Sequence, residues 1–130
     1  MVAVAAIIFN DNGQILLGKH SYRKYHPWGL LAGNLEYGEE PEIAIVRELR
    51  EETGFEIEAK RVLRAISAKE DHHISLVYLC KIKKGSFQPT SEISDVQYFS
   101  TDNLPDILRT EKALIWQIVD QLKTENTILK

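Results

Sequence analysis

An α/β layered domain is the fold class this sequence predicts, on three observations. Apolar, strand-like runs recur along the chain from Val2–Phe9 to Val96–Ser100. Two segments, Pro41–Thr53 and Thr110–Lys123, carry their apolar residues at helical spacing. The 130 residues, 44% of them hydrophobic and 27% charged, suffice for one domain (1–130) with a sizeable core. Strands interleaved with two or three helices bury their faces as stacked layers.

Val2–Phe9 reads as a buried strand, Asp11-Asn12-Gly13 as a hairpin turn and Gln14–Lys19 as the partner strand. His20–Pro27 is a polar loop rich in basic and aromatic residues, and Trp28–Leu31 a short strand after it. Pro41, with fixed φ and no N–H, suits the first turn of the next helix. Glu39, Glu40 and Glu42 lie near its positive end, where acids are favoured. Ile45, Val46 and Leu49 form its apolar arc, and Gly54 suits the residue just past its end. Gly33 and Gly38, in the loop before it, allow positive φ and close approach to a ligand. Glu56–Ala68 contains a strand interrupted by charge, His73–Ile82 is a clear strand, and Lys83-Lys84-Gly85-Ser86 is a turn. Val96–Ser100 is the last strand, and Asp102–Leu108 a short helix whose boundary Leu104-Pro105 complicates. Thr110–Lys123 closes the chain as an amphipathic helix, with Leu114, Ile118 and Leu122 on one face and Thr110 as N-cap.

Composition excludes several classes. A net charge of −3 gives no general attraction to nucleic acid. The single Cys80 rules out an internal disulfide, suits a reducing compartment and sits in an apolar run as a core residue. No apolar run reaches the length of a membrane span. Met1–Phe9 lacks the basic and long apolar regions of a signal peptide. The expected location is therefore cytoplasmic.

The chemistry lies in Arg47-Glu48-Leu49-Arg50-Glu51-Glu52-Thr53-Gly54-Phe55. At 100° per residue, Glu51 sits about 60° behind Glu48 and Glu52 about 40° ahead of it, so three carboxylates share roughly 100° of the helix circumference. They occupy the last turn, where the helix macrodipole is already negative, and the like-charged i,i+4 pair costs a few tenths of a kcal/mol. Solvated charged faces are common, and Arg47 and Arg50 offset the acids locally. Three acids that repel one another and the dipole nonetheless imply a cation, and oxygen ligands favour Mg²⁺ or Mn²⁺.

These residues and Gly33-Asn-Leu-Glu-Tyr-Gly-Glu39, with seven residues between the two segments, resemble the Nudix box, Gly-x5-Glu-x7-Arg-Glu-U-x-Glu-Glu-x-Gly-U with U a bulky apolar residue. Gly33, Glu39, Arg47, Glu48, Leu49, Glu51, Glu52, Gly54 and Phe55 match every fixed position over 23 residues. The resemblance implies an α/β/α sandwich with a mixed β-sheet. It also implies a metal-dependent hydrolase of nucleoside diphosphates linked to another group. It makes Glu48 a base or ligand, Glu51 and Glu52 ligands, and Arg47 an orienting residue that holds a carboxylate bidentately. Arg50, at a variable position, is a surface charge. The Ala32 carbonyl, just before Gly33, is a further candidate ligand, although Leu31-Ala32-Gly33 departs from the family's usual Pro-Gly-Gly. In MutT-like members a metal-binding glutamate often precedes an aromatic at the start of the last strand. Glu92, six residues before Tyr98, fits that place, with Asp95 the rival.

Several family markers are absent. No proline lies between Gly54 and Pro89, where ADP-ribose hydrolases commonly carry one, and Asp71-His72-His73 stands where one diadenosine-polyphosphate group has a tyrosine. What remains resembles a small MutT-like enzyme acting on nucleoside triphosphates or related diphosphate derivatives. Tyr22, Arg23, Lys24, Tyr25 and His26 mix rings and cations suited to base and phosphate. His72 and His73 are read as hairpin residues without a ligand, because no Cys or helical partner accompanies them. The expected partner is a small nucleotide, with no membrane or nucleic acid and a homodimer left open. Two alternatives stand. An enzyme acting on RNA 5′ ends would lack the usual basic stripe, and a non-catalytic sensor would tend to have lost box acids that are all present here.

Overall fold

A computed structural model describes residues 1–68 and 73–125. The chain divides into two compact units, Met1–Ile8 with Leu31–Thr90, and Phe9–Leu30 with Ser91–Lys130.

The first unit is built on a mixed four-stranded sheet, ordered β4 (Leu31–Asn34), β1 (Val2–Ile8), β6 (His73–Lys84) and β5 (Glu56–Ala68). β1 pairs in parallel with β6, and β4 and β5 flank them antiparallel. Helix α1 (Pro41–Thr53) lies against β4, β5 and β1. Its start and stop follow the local signals: Pro41 opens it, and Gly54 closes it at φ 84°, its N–H donating to the Arg50 carbonyl. Ala44, Ile45 and Leu49 are its fully buried face, while Val46 is half-buried. Burying each large aliphatic side chain contributes about 1.5–3 kcal/mol. β5 is one continuous strand rather than an interrupted one. It is an edge strand with three register shifts against β6, and its charged residues Glu58, Lys60 and Arg61 are exposed at that edge. Lys83 and Lys84, expected in a turn, still belong to β6, and Gly85 takes the positive φ of 100° that ends it.

The second unit holds an antiparallel three-stranded sheet ordered β3 (Trp28–Gly29), β2 (Ile15–His20) and β7 (Ile93–Phe99), followed by helix α2 (Arg109–Thr124). Its buried side chains include Ile15, Leu17, Ile93, Ile115, Ile118 and Leu122.

Four expectations need correction. The Asp11–Gly13 turn forms, but beyond the Phe9–Ile15 bridge the strand after it pairs with β3 and β7 instead of making a hairpin with β1. Trp28–Leu31 is not one strand: Trp28–Gly29 and Leu31–Asn34 join different sheets. Asp102–Leu108 is not helical. Pro105 has no N–H to offer, and Ile107 makes a parallel bridge to Trp28 instead. Thr110 lies inside α2. Leu108 is the N-cap, without a side-chain cap, and Ile115 rather than Leu114 is fully buried. Asp71 and His72 lie outside the described residues, and His73 opens β6.

Candidate active site

Arg47 is the centre of the acidic turn on α1. Its Nε donates to Glu39 Oε2 at 2.7 Å and its Nη2 to Glu39 Oε1 at 2.9 Å, a bidentate pair. Nη1 donates to Glu48 Oε1 at 3.1 Å and to Glu51 Oε1 at 3.1 Å, and Glu36 stands 3.6 Å away. Nη2 also donates to the Asn34 carbonyl at 3.1 Å, which ties the helix to the end of β4. The guanidinium beside Glu39 holds that carboxyl at about 2, well below the usual range, with a hydrogen bond from the Glu36 backbone as the second cause. The same hydrogen bonds raise the pKa of Arg47 further.

The three glutamates share the turn but not an environment. Glu52 is buried, Glu48 is largely covered and Glu51 is exposed. Thr90 donates its hydroxyl to the Glu52 carbonyl at 3.0 Å, and Thr53 Oγ1 both donates to the Leu49 carbonyl at 2.6 Å and accepts from the Phe55 N–H at 3.2 Å. The Thr90 bond satisfies a carbonyl that the helix end leaves unpaired. Arg50 sits outside the cluster, half-exposed, 3.8 Å from Glu56.

Gly33 contributes by what it lacks. It does not take positive φ, as expected for a loop glycine, but lies in β4 opposite Val4. A Cβ there would run into the Glu48 carboxyl. The missing side chain is the space in which that carboxylate sits. Ala32 is likewise extended, opposite Ala5, so the departure from Pro-Gly-Gly demands no left-handed alanine.

Among the described residues no three His, Cys, Asp or Glu side chains stand together as a metal-holding group. Glu48 and Glu51 turn instead to Arg47, the nearest cation. The donor set nevertheless fits a hard divalent ion. All donors are oxygens, and four carboxylates, Glu36, Glu39, Glu48 and Glu51, converge on one guanidinium, leaving excess negative charge on this face.

The remaining candidates belong to the second unit. Glu92 is exposed just before β7, and its carbonyl accepts from the Ser21 N–H at 2.8 Å. Asp95, its rival, is engaged locally by the Val96 N–H and the Gln97 amide. In the loop after β2, Tyr22 and Tyr25 are each 71% exposed, with Lys24 over the Tyr25 ring at 5.6 Å. Arg23 and His26 face protein partners: Arg23 pairs with Glu111 at 2.9 Å, and His26 Nδ1 lies 2.5 Å from Asp106. Sequence reasoning assigned no role to Glu111 or Asp106, and read Glu39 only as an acid near the positive end of α1 and a match to the box, not as the partner of Arg47. Glu39 had a signal, since it is a fixed position of the box. The other two lie 88 and 80 residues from their partners and had none.

Helix α1 thus presents an arginine-tied acidic face beside a close-approach glycine. A model of the NUDIX domain matches residues 1–121, and the chain belongs to the Nudix family. That family's hydrolases are pyrophosphatases acting on acid anhydrides of small nucleotides, generally with divalent metal. The chain is 32% identical over 126 residues to an NAD-capped RNA hydrolase NudC of Vibrio atlanticus, covering 96% of this chain and 44% of the relative. It thus spans less than half the length of that NudC relative. It is 34% identical over 122 residues to an ADP-ribose pyrophosphatase of Methanocaldococcus jannaschii, covering 88% of this chain and 70% of the relative. Among solved structures, a UDP-X diphosphatase is 29% identical with a TM-score of 0.80, covering 93% of this chain and 63% of that one. A NUDIX hydrolase from Nitrosomonas europaea shares the fold at a TM-score of 0.84 and 23% identity, over 97% of this chain and 73% of that one. Among the described residues no helix is long and apolar enough to cross a membrane.

Proposed function

We propose that this chain, acting as a single Nudix domain, hydrolyses the pyrophosphate bond of a nucleoside diphosphate derivative with Mg²⁺ or Mn²⁺. Nucleoside triphosphates are the second substrate class. The observation that carries the reading is the Arg47 cluster, which fixes Glu48 and Glu51 on the face that also bears Glu52. The relatives favour the diphosphate class, because those named for ADP-ribose and UDP-X act on a nucleoside diphosphate joined to a second group.

In this reading Glu48, Glu51 and Glu52 hold the cation, with the Ala32 carbonyl as a further ligand. A bound divalent ion supplies charge neutralisation for the pyrophosphate oxygens and the leaving group. Glu48 takes the proton of the attacking water, since its carboxylate is held in one place by Arg47 and the space over Gly33. Arg47 orients both acids, and Glu39 in turn orients Arg47. Water adds to the attacked phosphorus and the bridging P–O bond breaks. A triphosphate yields a nucleoside monophosphate and pyrophosphate, and a diphosphate derivative yields a monophosphate and the phosphorylated second group. Tyr22, Lys24 and Tyr25 offer stacking and charge to the nucleotide, with Arg23 and His26 holding the loop through Glu111 and Asp106.

A screen of ADP-ribose, NAD⁺, UDP-sugars and nucleoside triphosphates with Mg²⁺, run in ¹⁸O-labelled water, tests this. Label in the monophosphate or in the leaving phosphate locates the attacked phosphorus. Full turnover in excess EDTA contradicts the metal role. Orthophosphate as the first product from every active substrate contradicts the reaction.

A further inference from the structure

The loop after β2 is more tightly held than its exposure suggests. His20 N–H donates to the Pro27 carbonyl at 2.7 Å, and the Arg23 N–H to the His20 carbonyl at 3.2 Å. Arg23 Nη1 reaches back under the loop to the Trp28 carbonyl at 3.2 Å, the His26 carbonyl at 3.3 Å and Glu111 Oε1 at 2.9 Å. The second oxygen of Glu111 accepts from the Leu30 N–H at 2.9 Å. One carboxylate in the first turn of α2 therefore grips both the side chain at the loop's centre and the backbone at its far end.

The sequence makes room for this grip. A Cβ on Gly29 would lie 2.5 Å from Arg23 Nη1 and within 2.9 Å of both Glu111 oxygens. The ion pair is also largely shielded, with 18% and 17% of the two side chains exposed, so water competes with it less than at an open surface. Above it, His26 is held at φ 52°, the only non-glycine residue with positive φ among the described residues, and its ring meets Asp106. Backbone held in a sparsely populated region persists when its surroundings over-determine it. What this rigid base carries into solvent is Tyr22, Lys24 and Tyr25.

We propose that Glu111 is a positioning residue for nucleotide binding. Through Arg23 and the Leu30 N–H it fixes the loop so that Tyr22, Lys24 and Tyr25 stand ready before the nucleotide arrives. Preorganisation of this kind acts on affinity by removing the ordering cost of binding. The inference rests on the reading of this loop as the nucleotide-contacting segment.

The test is steady-state kinetics with ADP-ribose and with ATP in Mg²⁺. Glu111→Gln is expected to raise KM about tenfold while kcat stays within about twofold, because uniform binding is lost and the bond-breaking step is untouched. Gly29→Ala is expected to give the same signature, and the double variant little more than either alone, as for residues acting through one contact. Should Glu111→Gln not fold, Arg23→Lys carries the same expectation, since the lysine nitrogen ends one bond short of the Nη1 position that meets Glu111 and the two carbonyls. An unchanged KM in a folded variant, or a fall in kcat alone, overturns the inference and leaves the proposed function standing. No turnover of any nucleotide by the wild-type protein overturns both.

Discussion

Gly33 and Glu48 show how little tolerance the site has at the scale of single residues. The glycine occupies ordinary strand backbone, so alanine there meets no conformational penalty. It meets the Glu48 carboxyl. Gly33→Ala is expected to lower kcat at least about tenfold with only a small loss of thermal midpoint, a separation that activity assays and melting curves read together. Glu48→Gln and Glu52→Gln are each expected to lower kcat by at least about 10²-fold, the low end for lost acid–base catalysis. Arg50→Ala, removing a side chain outside the Arg47 cluster, is expected to be nearly silent. Equal damage from Arg50→Ala and Glu52→Gln would mean that the faces of α1 are misassigned.

Among the elements, α1 was readable from its own residues. Pro41 and Gly54 mark its ends, and its acids and apolar residues separate by periodicity. Gly54 holds φ 84°, and a side chain there would also crowd the Ser86 carbonyl at 3.0 Å. Gly54→Ala is therefore expected to destabilise by more than about 1 kcal/mol, measured by urea unfolding. What could not be read locally was which strand sits beside which. Trp28–Gly29 and Leu31–Asn34 adjoin in sequence yet enter different sheets, because pairing is decided by partners far along the chain. The same holds for the candidate site. The Arg47–Glu39 pair joins residues eight apart across the start of α1 and lies inside a recognisable motif. The Arg23–Glu111 pair joins residues 88 apart, and no spacing rule announces it.

For the molecule as a whole, two solution variables are expected to move stability. His20 is buried, and its Nε2 donates to the Leu30 carbonyl at 3.0 Å. Burial first, then the Arg23 charge, lowers its pKa below 6.5. The unfolded chain then binds a proton that the native state does not, so this contribution is intact above pH 6.5 and is lost as pH falls through the folded value. Denaturation midpoints should decline on going from pH 7.5 to 5.5, and His20→Gln, which keeps a donor for Leu30 but cannot titrate, should flatten that decline. On the metal reading, Mg²⁺ should raise the thermal midpoint in a concentration-dependent way, since a ligand that binds only the native state stabilises it. Glu48→Gln should blunt that rise.

Cys80 sits in β6 between Ile8 on one neighbouring strand and Ala59 on the other, 4% exposed, with burial pushing its thiol up to about 12. An alkylating reagent reaches a thiolate and little else, so the native chain is expected to resist modification at pH 8. Because the chain has one cysteine, any modification has one address. The protein therefore carries its own stopwatch for opening of the central strands. The rate of mass gain with iodoacetamide, followed in mild urea, times how often β1 and β5 let go of β6.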